Sequence, residues 1–214
     1  MEILKTFPSL TALRTAQPHI RAILFDMDGT LFQTEEIHAD VLRMMARDWR
    51  ILPPFPAHEL ENRLKGMADR QVLELARHWP GFPQEMNEEK FITEKNLRLL
   101  DLIPQIPLNK WCAPEMKEFL IEATKNDIVL AVVTSSERVI TDRLLQVSGL
   151  RDYFQLVITL QDVTHPKPHP APYLQAMLAL NVGPRETLIF EDSKPGLEAA
   201  QRAGARVIEA QWWN

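Results

Sequence analysis

The stretch Ala22-Ile23-Leu24-Phe25-Asp26-Met27-Asp28-Gly29-Thr30 decides the fold. A short apolar run ends abruptly in two carboxylates, a glycine and a threonine. Such a run, here Arg21–Phe25, reads as a strand buried on both faces of a parallel sheet. Ligands in open α/β sheets bind beyond the carboxyl ends of the strands, so Asp26 and Asp28 stand where chemistry is expected. Gly29 allows a tight or left-handed turn immediately after them.

Working outward, the next strand-like runs lie far downstream. Ile128–Val133, Leu156–Ile158, Thr187–Phe190 and Arg206–Ile208 are short, apolar and separated by helical patterns at Ala113–Thr124, Glu137–Gln146 and Leu174–Leu180. Pro195 suits the first turn of a further helix, running to about Ala203. Gly149 suits the close of the helix before it. Strands alternating with helices of this size predict an α/β fold: a Rossmann-like three-layer sandwich around a parallel sheet. Pro166, Pro168, Pro170 and Pro172 predict an irregular segment from His165 to Pro172.

Between Thr34 and about Leu102 the pattern changes. Val41, Leu42, Met45 and Trp49 recur at helical spacing, as do Val72, Leu73, Ala76 and Trp79. Pro53, Pro54 and Pro56 end the first of these helices, Pro80-Gly81 the second, and a third is expected over Glu85–Leu102. An all-helical insert is expected over 31–104, between core segments 1–30 and 105–214. Residues 1–19 say little beyond a short helix at Leu10–Ala16 between Pro8 and Pro18.

Composition narrows the function. A chain of 214 residues, 45% hydrophobic, can bury one large core plus an inserted module. Its formal charge of -5 recommends neither a nucleic acid nor a membrane surface as partner. No apolar run approaches the roughly 18 residues needed to cross a bilayer. Ile3-Leu4 is too short for a signal peptide core. Cys112, the single cysteine, cannot form an internal disulfide and reads as a small apolar filler. A cytoplasmic protein is expected.

Four polar clusters fall at or just after strand ends: Asp26 with Asp28, Thr134 with Ser135, Lys167, and Glu191 with Asp192. A carboxylate can serve as a nucleophile in acyl-phosphate formation. A lysine stiffened by prolines can neutralise phosphoryl charge. Clustered carboxylates suit Mg²⁺. Thr134 can donate to a phosphoryl oxygen, with Ser135 as its neighbouring candidate. Ser135 or Ser136 can alternatively cap the following helix.

In this order the clusters resemble motifs I to IV of the haloacid dehalogenase-like superfamily over residues 21–208. Asp26-x-Asp28-Gly29-Thr30 matches motif I, Lys167-Pro168 the lysine–proline motif III, and Glu191-Asp192-Ser193 with Gly196 motif IV. The likeness is to helical-cap members such as phosphoglycolate phosphatase and β-phosphoglucomutase-like phosphatases, which implies that the insert of 31–104 is the cap. It implies that Asp26 is the nucleophile, Asp28 the general acid and base, and Thr134 and Lys167 the groups holding the phosphoryl oxygens. It also implies Mg²⁺ on Asp26, the Asp28 carbonyl and Asp192, with Glu191 bonded to the metal's waters. The expected activity is hydrolysis of a small phosphorylated metabolite, a sugar or polyol phosphate, through an aspartyl-phosphate. A phosphomutase is the alternative, and a non-catalytic binding protein on the same fold a third reading. A monomer is expected, with a dimer as the alternative.

Substrate contacts are read from the inserted block. Glu35, Glu36 and His38 resemble a Thr-Glu-x-x-His stretch of sugar-phosphate members, and His38 either faces the substrate or bonds locally. Arg63-Leu64-Lys65-Gly66 resembles a cap substrate loop, which makes Lys65 a candidate. Arg70 is another, or lies on a solvated helix face. Gln33 departs from the aspartate common at that place in relatives. Trp212 and Trp213 cover an exposed edge or a partner surface, or belong to a loose tail.

Overall fold

The structure, a computed structural model, describes residues 2–56, 59, 63 and 69–213. The chain forms two compact units, one of residues 1–33 and 107–214 and one of residues 34–106.

The first unit is a six-stranded parallel sheet. In chain order its strands are β1 (Glu2–Leu4), β2 (Ala22–Phe25), β3 (Val129–Val133), β4 (Leu156–Ile158), β5 (Thr187–Glu191) and β6 (Arg206–Ala210). Their spatial order is β1-β6-β5-β2-β3-β4. β2 is central, with Phe25 opposite Val132 of β3 and Phe190 of β5. The chain winds outward from β2 in both directions, so the switch point lies at its carboxyl end. All four residues of β2 and all five of β5 are buried, as both-face burial requires.

Alternation along the strands sorts the two faces. Leu24, Ala131, Val133, Ile189 and Val207 pack with Tyr173, Ala176, Ala199 and Ala200. The latter four come from α7 (Ala171–Ala179) and α8 (Lys194–Arg202). Phe25 and Phe190 point the other way, stacked at 5.2 Å. Phe119 of α5 (Pro114–Lys125) meets both edge-on, at 6.2 and 6.3 Å. Helices on both faces give the three layers.

Local rules set the helix ends. Ser9 caps α1 (Leu10–Ala16) by accepting from the Ala12 amide, and Ser193 caps α8 by accepting from Gly196 N at 3.2 Å. α6 (Arg138–Ser148) closes on Gly149 at φ 67°. Two expectations need correction. α7 begins at Ala171 and takes Pro172 into its first turn, where a missing N–H costs nothing. Neither Ser135 nor Ser136 caps α6: Glu137 holds the cap position without a side-chain bond.

β1 had no counterpart in the sequence reading. It pairs with the edge strand β6, Glu2 opposite Ile208. Gln211 N then donates to the Leu4 carbonyl at 2.8 Å. Residues 31–33 group with the first unit through backbone bonds. Phe32 bridges Cys112 antiparallel, and Gln33 N donates to the Trp111 carbonyl at 2.9 Å.

The second unit holds, among its described residues, α2 (Glu35–Asp48), α3 (Asp69–Ala76) and α4 (Glu88–Leu102), joined by irregular segments and with no strand. Val41, Met45, Val72, Leu73, Ala76 and Trp79 are buried, as the helical spacing predicts, whereas Leu42 and Trp49 are half-buried; Phe91 and Leu99 of α4 are buried as well. Asn87 caps α4 by accepting from Lys90 N at 2.9 Å. Lys95 of α4 is buried as an ion pair with Asp69 of α3.

Candidate active site

Three adjacent strands deliver the site. Asp26 follows β2 and is 6% exposed. Its backbone amide donates to the Phe190 carbonyl of β5 at 2.9 Å, which fixes its height above the sheet. Glu191 ends β5 and is fully buried. Thr134 follows β3, anchored by its amide to the Ile158 carbonyl at 2.9 Å.

Lys167 reaches into this centre from the proline-rich segment, where its bond to Pro168 is cis. Its ammonium donates to Asp26 Oδ1 at 2.6 Å, to the Val133 carbonyl at 2.9 Å and to Glu191 Oε1 at 2.8 Å. An ammonium has three protons, so every one is committed. The Tyr173 ring lies 4.9 Å from Nζ, adding a cation–π contact. Burial works against the lysine's charge, but Asp26 and Glu191 outweigh it and hold the ammonium well above its ordinary pKa. Burial raises the Asp26 carboxyl well above its ordinary range. Lys167 pulls against this, and the negative charges of Glu191 and Asp192 add to it.

Glu191, expected beside metal-bound waters, is engaged with protein groups. Besides Lys167, its Oε2 accepts from Ser193 N at 2.7 Å and from Ser193 Oγ at 3.0 Å. Gly196 packs so closely that a Cβ there would lie 1.6 Å from Glu191 Oε1. A glycine at this place is therefore a steric requirement of the buried glutamate.

The loop after β2 turns at Gly29, with φ 81°. A Cβ on Gly29 would fall 2.1 Å from Asp192 Oδ2. Thr30 Oγ1 donates to Asp192 Oδ1 at 3.1 Å, tying the β2 loop to the β5 loop. Asp28 is half-buried, and its Oδ2 accepts from Ser136 Oγ at 2.5 Å. Ser136 N in turn donates to Thr134 Oγ1 at 3.0 Å, leaving the threonine hydroxyl its own proton to donate. Ser135 is exposed.

Asp26, Glu191 and Asp192 each offer a carboxylate oxygen within 4.8 Å of the others. These are hard oxygen donors of the kind Mg²⁺ takes. With Asp28 the centre carries four carboxylates against one ammonium. Such a surplus of negative charge calls for a cation, so the residues fit a divalent metal.

The structure thus brings Asp26, Asp28, Thr134, Lys167, Glu191 and Asp192 together. His38 is half-buried on α2 and Arg70 exposed on α3, both in the second unit. Lys65, with Leu64 and Gly66, lies outside the described residues. Arg63 is exposed, paired with Glu59 at 2.8 Å, and stacked 4.7 Å from the Phe55 ring. Sequence reasoning missed the contacts that Ser136 makes with Asp28, Thr30 with Asp192 and Tyr173 with Lys167. The one available signal was position: Ser136 is two residues past Thr134, and Tyr173 closes the lysine–proline segment.

The family profile described as haloacid dehalogenase-like hydrolase matches residues 23–210. The chain belongs to this family. A phosphorylated carbohydrates phosphatase of Thermotoga maritima is 30% identical over 197 residues, covering 88% of this chain and 84% of that protein. A fructose-1-phosphate phosphatase of Escherichia coli is 27% identical over 189 residues, covering 88% and 95%. The crystal structure of CbbY from Rhodobacter sphaeroides in complex with phosphate superposes with TM-score 0.76 at 28% identity, covering 88% and 85%. Membership in this hydrolase family makes the chain an enzyme with an aspartate-based site. No helix among the described residues is long and apolar enough to cross a membrane.

Proposed function

We propose that this enzyme is a magnesium-dependent phosphatase that hydrolyses small phosphomonoesters, sugar or polyol phosphates, through an aspartyl-phosphate. The observation that carries the proposal is the Asp26–Lys167–Glu191 bridge at the switch point. It holds a carboxylate beside a fixed positive charge, with one oxygen, Oδ1, committed to the lysine. Oδ2 is the oxygen left to attack.

In the first half-reaction an Asp26 oxygen attacks phosphorus and the bond to the leaving alcohol breaks. A protonated Asp28 gives its proton to that alcohol oxygen. In the second, Asp28 takes a proton from water, the water oxygen attacks phosphorus, and the Asp26 carboxylate leaves. Phosphate is released and both aspartates return to their starting states. Ser136 orients Asp28. The Thr134 hydroxyl and the Lys167 ammonium face the charge that develops on the phosphoryl oxygens. Asp26, the Asp28 main-chain carbonyl and Asp192 would hold Mg²⁺, which when bound supplies further positive charge against those oxygens.

The inserted helical unit would act as the cap, excluding water and supplying specificity through His38, Lys65 and Arg70. The names of the phosphatases from Thermotoga and Escherichia support a carbohydrate phosphate as substrate. A panel of sugar and polyol phosphates, assayed for free phosphate with Mg²⁺, tests the reading. Asp26→Asn is expected to abolish release. Glucose 6-phosphate forming from β-glucose 1-phosphate faster than free phosphate appears would instead identify a phosphomutase.

A further inference from the structure

The segment after β6 ends against the β2 loop. Trp212 Nε1 and Trp213 Nε1 both donate to the same acceptor, the Thr30 carbonyl, each at 3.0 Å. A carbonyl oxygen has two lone pairs, so the two indoles fill it. Thr30 is fully buried, so this carbonyl needs partners inside the protein. Adjacent residues directing their ring nitrogens at one atom is not a packing accident of an apolar tail.

Trp212 also packs edge-on against Phe190 at 5.4 Å and against Phe7 at 5.1 Å. Phe190 lies in β5, two residues before Asp192. Thr30, held by the indoles, donates its hydroxyl to Asp192. One side chain therefore touches both the β2 loop, through its N–H, and the strand that leads to Asp192, through its ring. Gln211 fixes the segment's start, its amide donating to Leu4 of β1 at 2.8 Å.

We propose that Trp212 and Trp213 are positioning residues for the metal centre: they set the Thr30 loop so that Thr30 orients Asp192 opposite Asp26. The inference rests on the metal ligands assigned under the proposed function. It gives the post-β6 segment, and through Gln211 the β1 edge strand, a part in the chemistry.

The test replaces both indole N–H groups and keeps the rings: Trp212→Phe with Trp213→Phe. Mg²⁺ binding is measured by calorimetry and folding by thermal unfolding. Two lost hydrogen bonds to a single acceptor are expected to weaken Mg²⁺ binding about tenfold. The rate at saturating Mg²⁺ is expected to stay within about threefold of the wild type, since no reacting group is removed. A folded double variant that binds Mg²⁺ within twofold of the wild type overturns the inference.

A second measurement needs no folded variant. The wild-type chain has five tryptophans, with Trp49 and Trp79 in the second unit as references. Mg²⁺ is expected to shift the indole ¹⁵N–H resonances of Trp212 and Trp213 more than those references. Unmoved resonances at a saturating Mg²⁺ concentration defined by calorimetry overturn the inference while the metal assignment stands. A wild type that binds no Mg²⁺ overturns both.

Discussion

Gly196→Ala is a one-carbon change with a large expected effect. The new Cβ would sit 1.6 Å from Glu191 Oε1 and 2.0 Å from its Cδ. Oε1 has to retreat by about 1.8 Å to reach an ordinary contact of 3.4 Å. Glu191 is fully buried, so the movement meets packed neighbours. Its 2.8 Å bond to Lys167 does not survive a shift of that size. A lost hydrogen bond to a charged group costs about 1.5–3 kcal/mol. Overpacking adds about 1–3 kcal/mol. A destabilisation of about 2.5–6 kcal/mol follows, readable by urea denaturation. Lys167 loses one of its two anchoring carboxylates, and a misplaced electrostatic group costs about 100-fold in kcat. Hydrolysis of p-nitrophenyl phosphate with Mg²⁺ would read that loss. Gly149→Ala is the control. Its φ is 67° but nothing lies within 4 Å of the new Cβ. Backbone strain alone, about 1 kcal/mol, is expected there with unchanged kcat. If Gly196→Ala folds within 1 kcal/mol of the wild type, by that measure, and keeps its kcat, Glu191 is not what holds Lys167.

Further expectations concern single groups. Ser136→Ala removes the donor to Asp28 and is expected to lower kcat about tenfold while KM changes little; an unchanged kcat would show that Asp28 needs no such support. Asp192→Ala should weaken the Mg²⁺ dependence of hydrolysis sharply, and chelation should silence the wild type; activity indifferent to chelator would remove the metal from the mechanism. Cys112 is buried, and burial pushes its thiol up to about 11. Thiolate is therefore scarce at neutral pH, and iodoacetamide should label the native protein slowly and the denatured chain at once; rapid native labelling would contradict the burial.

Much of the fold was legible because both-face burial leaves no choice of residue. Ala22–Phe25 and Leu188–Phe190 had to be apolar throughout, and each had to end where polar chemistry begins. β1 was illegible for the opposite reason. Glu2–Leu4 is a partly exposed edge of three residues, and its pairing comes from the backbone of β6 more than from its side chains. The clustering of the carboxylates with Lys167 was legible because charged side chains at strand ends stand out against the apolar runs before them. Ser136 was not, since a serine two residues past a strand end has the same appearance whether it caps a helix or holds a carboxylate. Only the distance to Asp28 separates the two. The helix at Ala171 was hidden by its own prolines, which mark irregular backbone and helix first turns alike.

The backbone leaves the first unit after Gln33 and comes back at Pro107, and the two threads are joined there. Phe32 and Trp111 lock edge to face at 5.2 Å, with Gln33 bonded to the Trp111 carbonyl. What lies between is therefore a guest held in a closed loop, whose ends the host keeps side by side. Such a graft point lets seventy-odd residues be exchanged, lengthened or lost without re-threading a strand of the host. The inserted residues can then change while the cluster of polar side chains that follows β2, β3 and β5 is left as it stands.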